Sequence, residues 1–148
     1  MSVDVKRAEY FDATIDGHNK EASKLLSTFA TAGVSLLAFK AVPAEAGKVR
    51  FSLFPNDRSR MIAGGAKAGL PLDGPRAALL IQGDDESGAL SEIYRKLSLA
   101  NIVVRESCGI ANINGSYGVV LYLDPRDCER AMAALSVGSS SDVTGSDK

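Results

Sequence analysis

Apolar residues recur along the chain at two different spacings, and these spacings predict an alternation of strands and helices. Residues 9–15 alternate polar and apolar side chains, as in a half-exposed β-strand. The next segment has apolar residues at the i, i+3, i+4, i+7 spacing of one helical face, namely Ala22, Leu25, Leu26 and Phe29. A hairpin of two strands at 35–42 and 48–54 follows, and a weaker helix, interrupted by two glycines, spans 58–69.

The same order of elements then recurs. Residues 76–82 are apolar enough for a central strand, and the segment after them has a helical apolar face made of Leu90, Ile93, Tyr94 and Leu97. Strands at 102–113 and 117–123 flank Asn114-Gly115, a pair that predicts a type I′ turn. A last helix begins near Asp124, and the Ser- and Gly-rich residues 136–148 are predicted to form a disordered tail.

The repetition is also visible in individual residues. Ala-Gly-Val at 32–34 lies 68 positions before Ala-Asn-Ile at 100–102. Pro-Asn-Asp at 55–57 lies 70 positions before Pro-Arg-Asp at 125–127, and we place this two-residue slip in the hairpins, where length changes are tolerated. The chain is therefore predicted to contain two copies of one small domain.

Strand, helix, two strands and helix is the order of the split βαβ, or ferredoxin-like, fold. Each copy needs a fourth strand to complete a βαββαβ unit. We predict an α+β protein with two tandem units at 8–72 and 73–135, antiparallel sheets side by side, helices on one face and a tail at 136–148. If Phe54, Val120 and Tyr122 lie on the other face of the sheet, that face is partly apolar, which favours a homodimer.

Composition excludes several functional classes. The chain has 148 residues, of which 45% are hydrophobic and 24% charged, and its net charge is −1. A balanced charge removes the usual electrostatic basis for nucleic-acid binding. One histidine and two cysteines argue against most zinc sites, against a disulfide scaffold and against most histidine-based catalysis. No segment has the length and hydrophobicity of a membrane span or of a secretion signal, so we expect a cytoplasmic protein.

Residues 85–90, Asp-Glu-Ser-Gly-Ala-Leu, followed by the helix and by Ala-Asn-Ile at 100–102, resemble the start of ACT domains. That start typically reads Asp-x-Pro-Gly-x-Leu, with an Ala-Gly-Ile type ending after the helix. The second unit departs only at Ser87 and Asn101. The first unit keeps Ala-Gly-Val at 32–34 but has Gly-His-Asn-Lys at 17–20 in place of the turn motif. The resemblance covers residues 8–135 as two tandem ACT domains.

The resemblance implies a function. ACT domains are usually non-catalytic sensors of amino acids and related small metabolites, which they bind at the first strand-to-helix turn, where two ACT units pack together. The expectation for this chain is a stand-alone regulatory protein, a homodimer, that responds to such a ligand and acts on a regulated enzyme, with no cofactor, metal, nucleic acid or membrane involved.

The residues at the second turn suit an amino-acid ligand. The start of a helix presents unpaired N–H groups and a partial positive charge to a carboxylate, and Gly88 allows a ligand close to the backbone. Acidic side chains there can pair with an ammonium group. The predicted ligand residues are Asp84, Asp85, Glu86, Ser87, Gly88, Ala89 and Leu90. A purely structural interpretation stays open, in which Asp85 or Ser87 only caps the helix and contributes about 1 kcal/mol.

Further candidate residues lie at the first turn and on the strand that follows the first helix of each unit. The first turn would form a matching site from Gly17, His18, Asn19 and Lys20, in which Lys20 and His18 favour an anionic ligand. In ACT pairs that strand also tends to supply contacts. Here it holds Glu106, Ser107, Cys108, Gly109 and Ile110 in the second unit, and Phe39 and Lys40 in the first. With one histidine in the chain, Cys108 is interpreted as a buried small side chain rather than as a nucleophile.

Two other functions remain to be weighed against the sensor. In the first, the same interface serves only to assemble subunits, and the ligand site is vestigial. In the second the protein is an enzyme, for which the sequence offers no convincing acid–base or nucleophile–base pair.

Overall fold

The computed structural model describes residues 3–84 and 87–144. Within them the chain forms six β-strands and four α-helices. In chain order they are β1 (Val3–Asp16), α1 (Asn19–Thr31), β2 (Leu36–Pro43), β3 (Lys48–Pro55), α2 (Arg58–Ala68), β4 (Asp73–Asp84), α3 (Ala89–Leu99), β5 (Val104–Ala111), β6 (Ser116–Leu123) and α4 (Cys128–Thr144). The β1–β3, β2–β3, β4–β6 and β5–β6 pairs are all antiparallel.

The chain divides into two compact units. The first unit is Glu9–Arg76, and the second unit is Ala77–Lys148 together with Met1–Ala8. The long strands β1 and β4 therefore each contribute one part to each unit. The strand order is β2-β3-β1-β4 in the first unit and β1-β4-β6-β5 in the second. The fourth strand of the first unit is thus the beginning of β4, and the fourth strand of the second unit is the beginning of β1.

Each unit has its own core, which explains why these residues form these elements. Alternating residues of a strand point to one face, so Phe11 and Ala13 of β1 lie beside Phe51 and Leu53 of β3. The helical faces close over them. The buried residues of this core are Phe11, Ala13, Leu25, Phe29, Val34, Phe51, Leu53 and Met61. At about 1.5–3 kcal/mol for each large side chain, this burial is the main force holding the unit together.

The second core repeats the arrangement. It consists of Ala77, Leu79, Ile81, Ile93, Leu97, Ile102, Val119, Leu121, Leu123, Cys128, Ala131 and Leu135, with Val3 and Val5 of β1 packed against it. The contacts of Val3 and Val5 show why β1 begins before the predicted 9–15: its first residues bury their apolar side chains in the core of the second unit.

The two glycines that weaken the helical pattern of α2 have a packing role. Gly64 and Gly65 are both buried. A Cβ atom on Gly64 would lie 2.8 Å from the Cβ of Ala32, so only glycine lets the backbone of α2 come this close to the end of α1. The helix forms because tertiary packing outweighs the low helix propensity of glycine.

The duplication keeps one spacing from the first strand of each unit to the end of its hairpin. Asp16 pairs with Lys48 in the first unit, and Asp84 pairs with Ser116 in the second, each 68 positions later. Both units also have a register shift at matching places, 36–38 and 104–106. The hairpin loops 44–47 and 112–115 have equal length, so the prediction of a two-residue slip in the hairpins is wrong. The slip lies in the connection to the last helix instead, because two residues connect β3 to α2 and four residues connect β6 to α4.

Three further expectations are corrected. The Asn114-Gly115 turn is not type I′, because a type I′ turn needs positive φ at both residues, and among the described residues only Gly115 of this pair has it. The turn is closed instead by the N–H of Gly115, which donates to the carbonyl of Asn112. Residues 136–144, expected in a disordered tail, continue α4, while 145–148 lie outside the described residues.

The third correction concerns the apolar side chains predicted on the other face of the sheet. Phe54 is 0% exposed and Tyr122 is 5% exposed within the single chain, and Val120 is half-buried. The ring of Phe54 lies 5.0 Å from that of Tyr10. Because these side chains are already buried, they provide no argument for a homodimer.

Candidate functional site

The turn between β4 and α3 has an unusual helix start. β4 ends at Asp84 and α3 begins at Ala89, with Gly88 as N-cap in the left-handed conformation, at φ 85°. Among the described residues no side chain caps this helix, so Ser87 does not act as the cap that the structural interpretation expected. Asp85 and Glu86 lie outside the described residues. The first N–H groups of α3 are therefore without a side-chain acceptor in the described part of the turn.

A cavity of about 630 Å³ lies beside this helix start. Three short segments line it: the first residues of α3, the second half of β5 and the facing part of β6. The lining residues are Gly88, Ala89, Leu90, Ser91, Ser107, Cys108, Gly109, Ile110, Ala111, Tyr117, Gly118 and Val119. The structure thus brings seven predicted residues together here: Gly88, Ala89, Leu90, Ser107, Cys108, Gly109 and Ile110. Asp84 and Ser87 are exposed and do not line the cavity.

Glycines shape this cavity. A Cβ atom on Gly88 would meet nothing within 4 Å, so the backbone of the helix start faces open space. On the opposite side, a Cβ atom on Gly109 would lie 2.9 Å from the carbonyl oxygen of Gly118, so β5 requires glycine at this position. A small molecule can therefore approach the backbone at the helix start, whereas the backbone of β6 already occupies the space beside Gly109.

A hydrogen bond between two side chains joins α3 to β5 at the edge of the cavity. The hydroxyl of Tyr94, on α3, lies 2.6 Å from the hydroxyl of Ser107, on β5. Beyond this pair the groove between α3 and β5 continues as a smaller cavity of about 230 Å³, to which Tyr94 belongs and Ser107 does not. Tyr94 and Ser107 thus stand at the boundary between the two cavities.

The electrostatics of the cavity come from the helix rather than from charged side chains. No Asp, Glu, Lys, Arg or His is among the described residues that line it. The nearest acid on α3, Glu92, is held in its charged form because a hydrogen bond from Arg95 lowers its pKa. The partial positive charge at the start of α3 is left to attract an anion. Cys108 is an exposed free thiol and not the buried residue that was predicted.

The sequence did not point to all the lining residues. Five lining residues were not predicted, namely Ser91, Ala111, Tyr117, Gly118 and Val119. They reach the cavity only through the pairing of β5 with β6 and the packing of α3 above them. The lone glycine inside β5 was the one available signal, since glycine in a strand often marks a close approach of another backbone.

The first turn is built differently. β1 ends at Asp16 and α1 begins at Asn19, so two residues connect them, where four residues connect β4 to α3. The N–H of Gly17 donates to the carbonyl of Gly47 at 3.0 Å. A Cβ atom on Gly17 would lie only 2.7 Å from that carbonyl oxygen. The first unit's own hairpin therefore occupies the space next to its turn.

Charge pairs reinforce this closure. The ammonium group of Lys48 lies 2.9 Å from the carboxylate of Asp16, and this hydrogen bond is the main reason that the pKa of Asp16 is lowered. His18 is the N-cap of α1, without a capping bond from its side chain. The groove of about 800 Å³ in this unit is lined by Thr14, Pro43, Ala44, Glu45, Ala46, Lys48 and Arg50. None of Gly17, His18, Asn19 or Lys20 lines it.

Two other properties of the described residues bear on function. No group of three or more His, Cys, Asp or Glu side chains in this part of the chain is placed to hold a metal ion. No helix in the same part is long and apolar enough to cross a membrane.

Comparison with known proteins rests on structure alone, since no family model and no curated protein matches the sequence. Protein BT0572 from Bacteroides thetaiotaomicron is similar with a TM-score of 0.76 at 14% identity, over 89% of this chain and 90% of that one. The regulatory subunit of aspartate kinase from Thermus thermophilus, in a ligand-free form, has a TM-score of 0.65 at 11% identity, over 90% and 94%. The regulatory subunit of aspartate kinase from Thermus flavus has a TM-score of 0.56 at 14% identity, over 91% and 94%.

At these identities the likeness establishes the fold. The predicted ACT-like, ferredoxin-like arrangement of two βαββαβ repeats is confirmed, and it accounts for nearly the whole length of this chain and of these three structures. Two of the three are regulatory subunits of aspartate kinase.

Proposed function

We propose that this protein is a non-catalytic regulatory sensor that binds an amino acid, or a related small carboxylic acid, in the cavity at the start of α3. The observation that carries this proposal is the open space beside Gly88, next to helix N–H groups that no described side chain caps. The likeness to regulatory subunits of aspartate kinase supports the regulatory part of the proposal.

The cavity provides partners for the carboxylate and for the apolar part of such a ligand. The ligand carboxylate accepts hydrogen bonds from the first N–H groups of α3, and the helix dipole adds about 0.3–1 kcal/mol to this attraction. The apolar part of the ligand lies over Gly109 and against Val119.

The proposal assigns one site to each chain. The first turn is excluded because the carbonyl of Gly47 already accepts the hydrogen bond of Gly17 and leaves no room beside it. Two more connecting residues and the left-handed Gly88 distinguish the second turn, and a Cβ atom on Gly88 would meet nothing within 4 Å. The matching site predicted at the first turn therefore has a structural role in this proposal.

Binding would be transmitted through a partner that covers the mouth of the cavity. Three large apolar side chains lie exposed around it or on the adjoining hairpin: Leu90 at 54%, Ile110 at 79% and Ile113 at 104%. Exposed apolar residues grouped in this way are typical of an interface. We assign this interface to an ACT unit of a second copy of the chain, and the output to a regulated enzyme.

The same exposed residues favour the second candidate function, an assembly module whose site is vestigial. The two functions differ in their response to ligand. In a thermal-shift screen of the twenty amino acids, a ligand at 100 times its Kd adds about 2.7 kcal/mol of stability to the sensor. A shift with one amino acid or a few chemically related ones supports the sensor. The same melting temperature with all twenty amino acids would leave only the assembly module.

A further inference from the structure

We infer that Tyr94 sets the length of the ligand side chain that the proposed site accepts; this inference rests on the proposed function. The groove between α3 and β5 runs past the helix start and on towards the other end of α3. It holds two cavities, of about 630 Å³ and about 230 Å³, that lie one after the other along the same pair of elements.

The side chain of Tyr94 crosses the groove between these cavities. Its hydroxyl lies 2.6 Å from that of Ser107, so the ring is held against β5. Ser107 lines the larger cavity, and Tyr94 lines the smaller one, together with Leu97 and Val104. A ligand whose carboxylate lies at the helix start extends its side chain along the groove towards this hydrogen-bonded pair and stops there.

The first unit provides an internal comparison. The residues 68 positions earlier in the chain are Leu26 for Tyr94 and Phe39 for Ser107. Phe39 pairs with Leu53, as Ser107 pairs with Leu121, which confirms that the positions correspond. Leu and Phe cannot form the hydrogen bond. The polar pair therefore occurs in the unit that has the cavity, and the unit whose turn is closed lacks it.

The consequence is a limit on ligand size. Wild-type protein should prefer amino acids with short uncharged side chains, because a longer chain would meet the Tyr94 ring. Removing the ring joins the two cavities, and a longer apolar side chain can then enter the space lined by Leu97 and Val104. Two additional buried methylene groups correspond to about a tenfold gain in affinity.

The test is isothermal titration of wild-type protein, Tyr94→Ala and Tyr94→Phe with alanine, valine, norvaline, norleucine and phenylalanine. Leu26→Ala is the matched control, since it removes a half-exposed side chain at the equivalent position of the first unit. We expect Tyr94→Ala to favour norleucine over alanine about tenfold more strongly than wild type does. Tyr94→Phe keeps the ring and should keep the wild-type order within about threefold, as should Leu26→Ala.

The outcomes separate this inference from the proposed function. If wild-type protein binds short amino acids and Tyr94→Ala binds them in the same order of affinity, Tyr94 is not the limit and the inference is wrong, while the sensor stands. If no protein in the series binds any of these five and the thermal-shift screen of all twenty amino acids also finds no ligand, the proposed function fails and the inference fails with it. If the screen finds a ligand only outside this series, the preference for short uncharged side chains is wrong and the inference alone fails. A Tyr94→Ala protein that unfolds is recognised by circular dichroism. Tyr94→Leu keeps an apolar side chain while removing the ring, and it then takes the place of Tyr94→Ala. The same change in the preference for norleucine over alanine is expected.

Discussion

Replacing Leu90 by aspartate tests whether the start of α3 binds a carboxylate. Leu90 is the second residue of α3, and it lines the cavity while remaining 54% exposed. An aspartate here interacts favourably with the helix dipole by about 0.3–1 kcal/mol. Removing a half-buried leucine costs about 1 kcal/mol. The two effects nearly cancel, so the fold should be retained.

Ligand binding should respond in the opposite way. The new carboxylate competes for the same N–H groups and repels the carboxylate of the ligand by about 1–2 kcal/mol at a protein surface, which weakens binding about 5- to 30-fold. In a chain of 148 residues, a stabilisation of about 2.7 kcal/mol corresponds to a rise in melting temperature of about 8 °C. Leu90→Asp should lose about a third to two thirds of this rise at the same ligand concentration.

Leu90→Asn is the control, because it loses the same apolar contacts without adding a charge. We expect it to keep most of the shift in melting temperature, and we expect salt to restore part of the binding of Leu90→Asp. If Leu90→Asp and Leu90→Asn bind equally well, the carboxylate of the ligand does not lie at this helix start, and the reasoning from the helix dipole is refuted.

Three predictions concern the scaffold. Ala46 has a left-handed backbone at φ 57°, a conformation that asparagine tolerates better than alanine. Ala46→Asn should therefore raise the free energy of unfolding, measured in urea, by about 0.5–1 kcal/mol. An unchanged or lower value would contradict strain at Ala46. Gly64→Ala should lower the free energy of unfolding by about 1–3 kcal/mol, because the added Cβ would lie 2.8 Å from that of Ala32. This is opposite to the usual effect of alanine in a helix, and a stabilised variant would refute the packing of Gly64 against Ala32. Lys48→Met should raise the pKa of Asp16 towards 3.8 in a carbon NMR titration, since Lys48 is the main cause of its depression. The depressed pKa of Asp16 stabilises the fold above about pH 4, and this contribution is lost as the pH falls through the folded-state pKa. If the pKa of Asp16 does not change in Lys48→Met, the ion pair does not form.

The order of the elements could be predicted because local signals agree with the fold. The helical spacing of Leu90, Ile93 and Leu97 predicts α3, and two of these three residues lie in the core. Gly33 and Asn101 both have positive φ after a helix, as their residue types indicate. Here the backbone preferences of single residues decide the structure, and a sequence displays them directly.

The errors arose where distant parts of the chain decide the structure. Residues 3–8 are rich in charge, and only the core of the second unit makes them a strand. The matching of Pro55 with Pro125 suggested a two-residue slip in the hairpins, and strand pairing excludes a slip there. Similarly, the cavity depends on how Gly109 lies next to Gly118, which no local pattern encodes. The closure of the first turn by Gly47 was also hidden, because the donor and the acceptor are 30 positions apart.

The number of amino-acid molecules bound per chain tests the central claim most directly. It can be measured by isothermal titration with whichever amino acid gives the largest shift in melting temperature, and checked by native mass spectrometry of the same complex. The predicted result is one molecule per chain. Its binding is weakened in Leu90→Asp and is kept when Gly17 is replaced by alanine in a protein that still folds. Two molecules per chain, or one that depends on the first turn, would contradict the assignment of the site to the start of α3.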